Sequence, residues 1–349
     1  MLGVCLACIR RQPQAALAIA RQAHRQSRLD FGLPPSPPDS PGGLPCNVCV
    51  NRCRMAQNEM GYCGLRRNQN GRLVGVTSTA AKVSWYHDPL PTNCVASWVC
   101  PGGTGAGHPV FAYRDGAETG FKNLAVFFQG CTFNCLFCQN WHFRHETLTA
   151  AYRTVEEMVT DTDQRTSCIC YFGGDPAAQI PFAIKASKRA REKAAGRILR
   201  ICWETNGSVK PELLDQAVEI AIDSGGCVKF DLKAWDTSLH VALTGVTNQQ
   251  TLDNFARVAQ KIGRRPIPPL LIASTLLVPG YIDAREVAAI AGFIVGLNPD
   301  IPYSLLAFHP QFYMSDMPLT SKTLANQSVR AARDSGLKNV RLGNVHLLI

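Results

Sequence analysis

The sequence lacks the features of a membrane-spanning or secreted protein. Its longest apolar helical candidate covers residues 287–297, about half of the roughly 20 residues that an α-helix needs to cross a bilayer. No secretory signal peptide opens the chain, so we expect its 15 cysteines to stay reduced rather than to form a disulfide framework. These absences predict a protein of the reducing cytoplasm with no membrane partner.

Acidic residues are also fewer than basic residues. The chain has 26 Asp and Glu against 36 Lys and Arg, a formal net charge of +10. This excess is spread over a long chain, so it does not favour a nucleic-acid partner, although RNA stays open as a substrate class. Basic residues do gather in the first 30 residues, and we interpret them as a solvated helix face; the alternative is an organellar transit peptide. They are Arg10, Arg11, Arg21, Arg25 and Arg28.

Three cysteines follow the apolar run at residues 123–129 (NLAVFFQ). This run predicts a buried strand. Cys131, Cys135 and Cys138 have C-x3-C-x2-C spacing with the aromatic Phe137 before the last cysteine. A cluster of four irons needs four donors, so three thiolates leave one iron open. Zinc would want a fourth ligand, and a disulfide would leave one thiol over. The loop therefore predicts a [4Fe-4S] cluster with an open iron at the carboxyl end of a strand.

A second group of cysteines follows a linker rich in proline and glycine at residues 33–45. Cys46, Cys49, Cys53 and Cys63 have C-x2-C-x3-C-x9-C spacing, which is dense enough to wrap one metal centre. Zinc, a single iron or a second iron–sulfur cluster would each accept four thiolates. The alternative is a set of reduced structural thiols, so we predict a second metal site of open identity.

The stretch at residues 76–122 is expected to be irregular. It contains Cys94 and Cys100, which either donate to the four-cysteine site or a further site, or are buried free cysteines. Its segment PGGTGAG is no phosphate loop, because no Lys-Ser or Lys-Thr follows. We therefore divide the chain into a basic helical segment with its linker (1–45), a cysteine-rich unit with its connection (46–122), and a catalytic unit (123–349).

From residue 123 onward, strands and helices alternate. Six nearly all-apolar strands each precede a helix, as expected for parallel strands that are covered on both faces. Six units rather than eight predict an α/β fold, a partial (β/α)6 TIM-like barrel with an N-terminal cysteine-rich metal-binding extension. The expected strands cover residues 123–129, 167–172, 198–205, 227–233, 270–278 and 303–308.

Polar turns follow these strands at the end where parallel barrels bind their ligands. Each turn alone would pass for an ordinary loop, but together with the three-cysteine loop they form a ring around one end of the barrel. The turns are Gly173-Gly174-Asp175-Pro176, Glu204-Thr205-Asn206-Gly207, Asp231-Leu232-Lys233, Val278-Pro279-Gly280-Tyr281 and His309-Pro310.

Taken together, these motifs resemble the radical S-adenosylmethionine (SAM) enzymes related to pyruvate formate-lyase activating enzymes, and most of all their AmmeMemoRadiSam-type branch. The likeness runs from Cys46 to the C-terminus through the GYCG unit, the cysteine loop, the GGDP, ETNG, DLK and PGY turns, and the ending GNVHLL. It implies that SAM chelates the open iron and is reductively cleaved to methionine and a 5'-deoxyadenosyl radical, which abstracts hydrogen from a substrate. That substrate is a glycyl-radical-enzyme backbone, another peptide or a small molecule.

The resemblance also implies roles for individual residues. Gly173, Gly174 and Asp175 would bind the amino group of SAM, mainly through backbone atoms. Asp231 and Lys233 would contact its carboxylate and ribose region. Relatives usually carry Glu at the position of Asp175, and they carry a histidine after the PGY turn that this chain lacks, so one ribose contact is in doubt.

Further partners follow from the same resemblance. Glu204, Thr205 and Asp231 would form a monovalent-cation site beside SAM. The electron would come from a reductant such as flavodoxin or ferredoxin. The rival interpretation is a non-catalytic iron–sulfur, metal-binding or electron-transfer protein, which would not turn SAM over.

Overall fold

The computed structural model describes residues 2–349 as fourteen strands and eleven α-helices. The strands are β1 (Leu44–Pro45), β2 (Arg54–Met55), β3 (Arg66–Gln69), β4 (Arg72–Gly75), β5 (Ala80–Ala81), β6 (Val83–Pro89), β7 (Lys122–Phe128), β8 (Arg153–Thr154), β9 (Thr166–Phe172), β10 (Arg200–Thr205), β11 (Val228–Asp231), β12 (Leu271–Leu277), β13 (Tyr303–Ala307) and β14 (Val340–Gly343).

Two of the helices form the N-terminal segment, and most of the others connect strands of the central sheet. They are α1 (Leu6–Arg11), α2 (Pro13–Leu29), α3 (Pro101–Thr104), α4 (Phe143–Thr147), α5 (Val155–Thr160), α6 (Ile180–Ala194), α7 (Pro211–Ser224), α8 (Thr237–Thr244), α9 (Gln249–Ala259), α10 (Ala284–Leu297) and α11 (Lys322–Asp334), with short 3-10 turns at Pro176–Gln179, Ile262–Arg264, Phe312–Met314 and Val345–Leu347. Among residues 2–349, none of these helices has the length and apolarity to cross a membrane.

The central sheet has eight strands in the order β14-β13-β12-β11-β10-β9-β7-β6. Seven of them are parallel, and only β6 runs antiparallel, against β7. The predicted parallel α/β architecture is therefore confirmed, with one strand more than the six expected. The seventh parallel strand is β14, which lies near the C-terminus and was not among the expected strands.

The expectation of an irregular chain over residues 76–122 is wrong at its start. β6 lies there and pairs along its whole length with β7, from Val83 opposite Phe128 to Pro89 opposite Lys122. Its exposed and half-buried residues, such as Tyr86 and His87, hide the strand from a search for apolar runs, because β6 is an edge strand with one face open.

Helix α8 was not predicted, yet it positions the three-cysteine loop. It begins after Asp236, whose side chain accepts a hydrogen bond from the Leu239 amide, and it ends at Gly245 with φ of +78°. Only eight residues long, it carries too little periodicity to be recognised in the sequence. Its last carbonyls point at the loop that follows β7, so a crossover helix becomes part of the site.

The N-terminal segment packs onto the barrel through α1 and α2. Arg10 pairs with Asp283 at 2.9 Å and with Glu286 at 3.1 Å. Arg28 is 2% exposed, donates to the Tyr62 carbonyl and lies 3.5 Å from the centre of the Tyr62 ring. The expected solvated basic face is therefore wrong for these two arginines, which hold the segment against the remainder of the protein.

The cysteine-rich unit consists of two small hairpins, β1 with β2 and β3 with β4. It docks directly on the barrel: the Val50 amide donates to the Ser208 carbonyl at 2.9 Å, and the Asn51 side chain donates to the Thr132 carbonyl at 2.7 Å. Thr132 belongs to the three-cysteine loop, so the extension contacts the site itself. The division of the chain into three independent units stays a prediction.

Candidate active site

The three-cysteine loop leaves β7 at the carboxyl end of the parallel strands, as predicted. Cys135 is 8% exposed, and Phe133, Leu136 and Phe137 are buried around it. These apolar side chains anchor the loop in the main hydrophobic core, which also includes Cys135. The loop is therefore a rigid element in which the apolar residues between the cysteines do the packing.

Backbone and side-chain hydrogen bonds fix the path of the loop. The amides of Asn134 and Leu136 donate to the carbonyls of Thr244 and Leu243, at 2.9 and 3.0 Å, at the end of α8. The buried Asn134 side chain donates to Ser27 Oγ in α2 at 2.8 Å. Because these partners come from α2 and α8, the positions of the three cysteines in space depend on elements that are far away in the sequence.

A cavity of about 320 Å³ lies over the loop at the carboxyl ends of the strands. It brings together eight of the residues that the sequence singled out. Gly173 and Thr205, also singled out, do not line it but flank residues that do. The eight lining residues are Cys131, Cys135, Cys138, Gly174, Asp175, Glu204, Asp231 and Lys233.

The two glycines after β9 are required because the backbone there lies very close to the end of β7. Gly174 has φ of +50°, and a Cβ there would lie 2.2 Å from the Phe128 carbonyl oxygen. A Cβ on Gly173, with φ of +64°, would lie 2.1 Å from the Phe127 ring. No other residue fits this geometry, so the glycines bring the β9 turn against the end of β7 and leave backbone groups facing the cavity.

Asp175 joins the turns after β9 and β10. Its carboxylate accepts hydrogen bonds from the amides of Asn206 at 2.6 Å and Ala177 at 2.7 Å, and from Thr205 Oγ1 at 3.1 Å. Burial raises the pKa of Asp175 to about 7, although these donors favour the charged form. The Asp175 side chain thus holds the ends of two strands together.

Asp231 and Lys233 form an ion pair on the wall of the cavity. Lys233 Nζ lies 2.8 Å from Asp231 Oδ2, and Ser274 Oγ donates to the other carboxylate oxygen at 2.7 Å. Burial alone would raise the pKa of Asp231, but Lys233 and Ser274 bring it below its ordinary value. Burial likewise opposes the charge on Lys233, whose pKa Asp231 raises. Both groups are therefore charged at neutral pH, as a contact with a zwitterionic ligand requires.

Glu204 has a partner that sequence reasoning missed. The Lys229 side chain is 2% exposed in the barrel interior, and its Nζ atom lies 3.2 Å from Glu204 Oε2. The two carboxylates of the predicted monovalent-cation site, Glu204 and Asp231, are thus each paired with a lysine ammonium group. The cation itself stays a prediction. A lysine two residues before Asp231 in a buried strand was the signal available in the sequence.

The donor set of the cavity fits a cluster with one open iron. Three cysteines line the cavity, and within residues 2–349 no histidine or further cysteine joins them there. No group of three or more His, Cys, Asp or Glu in this part of the chain is spaced for a single metal ion. In a cubane each of the three thiolates would bind a different iron. Burial raises the pKa of Cys135 to about 12, so cluster loading must release protons.

The four predicted N-terminal metal ligands also converge. Cys46, Cys49, Cys53 and Cys63 line one small cavity together with Arg66. Burial raises the pKa of Cys53 to about 11 and also raises that of Cys49 and Cys63. Cys94 and Cys100 do not line this cavity, so the idea that they donate to the four-cysteine site is wrong.

Asn206 and Asn93 line the main cavity without having been singled out as ligands. Asn206 Nδ2 donates to Thr132 Oγ1 at 2.8 Å and lies 3.8 Å from Cys131 Sγ. Its place in the ETNG turn was a signal in the sequence. Asn93 enters from the stretch before α3, where nothing in the local pattern points to a site.

Comparison with known proteins identifies the class. A model of the radical SAM superfamily matches residues 125–293. This range begins inside β7, contains the cysteine loop and every strand-end turn from β7 to β12, and ends inside α10. The chain therefore carries a radical SAM domain, and that domain implies a [4Fe-4S] cluster and SAM. The protein is an enzyme, which rejects the non-catalytic interpretation.

Its relatives include named activating enzymes. An uncharacterised protein of Methanocaldococcus jannaschii is 26% identical over 307 residues, covering 86% of this chain and 81% of that protein. The isethionate sulfite-lyase activating enzyme of Desulfovibrio desulfuricans is 33% identical over 138 residues, 39% of this chain and 40% of the relative. The pyruvate formate-lyase-activating enzyme of Staphylococcus aureus is 26% identical over 197 residues, 53% and 73% of the two chains.

Proposed function

We propose that this radical SAM enzyme abstracts hydrogen from a peptide segment of another protein, bound beside SAM at the open end of the barrel. The observation that carries the proposal is a second pocket of about 200 Å³ that adjoins the cavity over the cysteine loop. Pockets for one small ligand usually enclose roughly 300–1,000 Å³. The cavity of about 320 Å³ is of this size, and its neighbour adds the room that a side chain of a substrate segment would take.

The chain's own residues would bind and orient SAM in the larger cavity. When bound, the reduced cluster on Cys131, Cys135 and Cys138 supplies the electron that cleaves SAM. The backbone freed by Gly173 and Gly174 would face the amino group, and Lys233 with Asp231 would contact the carboxylate and ribose region. Buried walls such as Phe133 and Phe137 exclude water, so the reactive intermediate meets the substrate first.

The adjoining pocket is basic and has no acidic residue among the side chains that line it. Arg341 lies on the edge strand β14 with its guanidinium 6.0 Å from the centre of the Trp98 ring, and His346 is nearby on the same rim. The two pockets share Asn93, Val95, Leu306 and Asn344. We infer that the substrate segment carries an acidic group that Arg341 binds. Two relatives are named for activating another enzyme, which supports a protein substrate.

The substrate proposal is tested with synthetic peptides that carry α-deuterated glycine next to an acidic residue. With reconstituted enzyme, SAM and dithionite, deuterium should appear in 5'-deoxyadenosine. In Arg341→Met the transfer should fall roughly tenfold, because a charge-assisted contact is lost. Formation of 5'-deoxyadenosine without peptide should stay unchanged. Arg330→Met, in an exposed position on α11, is the matched control and should behave like the parent.

Deuterium transfer from a small carboxylate or phosphate ester but from no peptide would contradict the peptide proposal. Transfer from an RNA oligonucleotide would contradict it too. Neither result would affect the assignment of SAM cleavage, because that reaction is measured separately as 5'-deoxyadenosine formed in the absence of substrate.

We also propose that the four-cysteine unit holds a second metal centre. Its four cysteines line one cavity that has no histidine or carboxylate in its wall, and ligands made only of sulfur suit an iron–sulfur cluster. In Cys46→Ala/Cys49→Ala, iron and sulfide should fall by about four per chain after anaerobic reconstitution. Unchanged iron and zinc contents would argue against any metal in this unit. Cys5→Ala/Cys8→Ala, at exposed positions in the N-terminal segment, is the control.

Two further partners complete the proposal. The reductant is a flavodoxin or ferredoxin, which dithionite replaces in the assays above. A monovalent cation at Glu204, Thr205 and Asp231 would compete with the ammonium groups of Lys229 and Lys233 that already pair these carboxylates. An activity that does not change between sodium, potassium and a bulky organic cation would reject the cation site.

A further inference from the structure

Six cysteines that no motif connects meet inside the barrel, beneath the SAM cavity. Residues of β9 and β10, the residue before β11, and the stretch before α3 line a chamber of about 30 Å³. Its only charged residues are Arg200 and Lys229, and neither histidine nor carboxylate lines it among residues 2–349. The six cysteines are Cys94, Cys100, Cys168, Cys170, Cys202 and Cys227.

The chamber is unusual for the interior of a parallel barrel, which bulky branched side chains normally fill. Cys170 and Cys202 are direct neighbours in the register of β9 and β10, and Cys168 lies two residues before Cys170 on the same face. Cys168, Cys170 and Cys202 keep 8%, 8% and 9% of their surface accessible although they lie inside the fold. Small thiols thus leave space where a packed core is expected.

A buried ammonium group marks the chamber as a place for negative charge. Lys229 Nζ donates to Cys94 Sγ at 2.9 Å and to Cys170 Sγ at 3.0 Å. Free buried cysteines behave as small apolar groups and do not need a lysine beside them. Four metal-bound thiolates together carry more negative charge than the metal neutralises, so an ammonium group beside them is stabilising.

We propose that the chamber binds an iron–sulfur cluster, distinct from the cluster at the SAM site and from the four-cysteine unit. Ligands made only of sulfur select iron–sulfur clusters, zinc or copper. Six thiols line the chamber, more than the four that one zinc ion takes in a structural site, which favours a centre with several metal ions. The negative charge of a cluster with four thiolates suits Lys229, and Lys229 in turn contacts Glu204 on the wall of the SAM cavity.

The test is iron and sulfide content in the full chain after anaerobic reconstitution with ferrous iron and sulfide. In Cys94→Ser/Cys170→Ser/Cys202→Ser, three of the six thiols remain, fewer than the four that a fully ligated cluster uses. We expect iron and sulfide to fall by about four per chain each relative to the parent. The control Cys5→Ser/Cys8→Ser should lose neither.

Unchanged iron and sulfide in the triple variant would overturn the proposal, and so would the loss of zinc or copper in place of iron. Should the triple variant fail to fold, Cys46→Ala/Cys49→Ala answers the question without touching the chamber. With the four-cysteine unit disabled, a chamber cluster leaves about eight irons per chain, whereas the SAM-site cluster alone leaves about four. A content of about four irons in that protein would overturn the proposal.

Discussion

Replacement of Cys135 by alanine is expected to abolish the formation of 5'-deoxyadenosine from SAM. Cys135 is the middle ligand of the loop and is 8% exposed, so no solvent molecule or distant side chain takes its place. Loss of even an indirect partner of a metal ligand costs roughly 10–100-fold in affinity or activity, so loss of a ligand should cost at least about a hundredfold. The measurement is 5'-deoxyadenosine formed with SAM and dithionite, together with iron and sulfide per chain.

The control for this variant is Cys8→Ala, which removes an exposed thiol from α1. It should keep the activity and the iron content of the parent. Circular dichroism of both variants separates loss of the cluster from loss of the fold. Activity of the Cys135→Ala protein at the parent level would contradict the assignment of the three-cysteine loop as the site of SAM cleavage.

A second large effect is expected on stability, at the buried pair of Arg200 and Glu118. The guanidinium binds both carboxylate oxygens, at 2.8 and 2.6 Å, and the two side chains are 1% and 0% exposed. Arg200→Met would leave the Glu118 carboxylate buried without a counter-charge. Removal of one partner of a buried pair costs about 3–5 kcal/mol, so the free energy of unfolding should fall by that amount in urea denaturation.

The matched control is the double variant Arg200→Met/Glu118→Gln, which removes both charges and should be more stable than Arg200→Met alone. Equal stability of the single and double variants would contradict the explanation by an unpaired charge. Arg189→Met, which breaks exposed pairs with Glu156 and Glu192, should have almost no effect.

The contribution of this pair should also depend on pH. Burial raises the pKa of Glu118, but the hydrogen bonds and charge of Arg200 outweigh burial and lower it below 4.5. A carboxyl group with a lowered folded-state pKa stabilises the protein above its unfolded pKa, and this stabilisation is lost as the pH falls through the folded-state pKa. The difference in stability between the parent and the double variant should therefore shrink as the pH drops below 4.5.

Much of the barrel could be predicted because each parallel strand is a continuous apolar run with a helix behind it. The Thr-x-x-Glu pattern of Thr154 and Glu157, for example, is a recognisable helix start, and the two residues form a capping box at α5. β6 and α8 were not predicted, for two different reasons. β6 is an edge strand whose exposed residues break the apolar run, and α8 has eight residues and little amphipathic pattern.

The same contrast holds in the site. Cys131, Cys135 and Cys138 were recognisable because the ligands of a cluster lie close together in the sequence. The partnership of Lys229 with Glu204 was not, because it joins neighbouring strands that are separated by a helix. The role of Asp175 likewise became clear only from its hydrogen bond to the Asn206 amide, across two strand ends.

By itself, the sequence determined that the chain carries a loop for a cluster with one open iron, a second group of four cysteines and a barrel of parallel strands, since these depend on spacing and local pattern. Only the tertiary structure decided which polar groups share a cavity, that a basic pocket adjoins it, and that six scattered cysteines enclose a chamber with Lys229. The physical reason is that parallel strands place side chains far apart in sequence within contact distance, and no local pattern records that register.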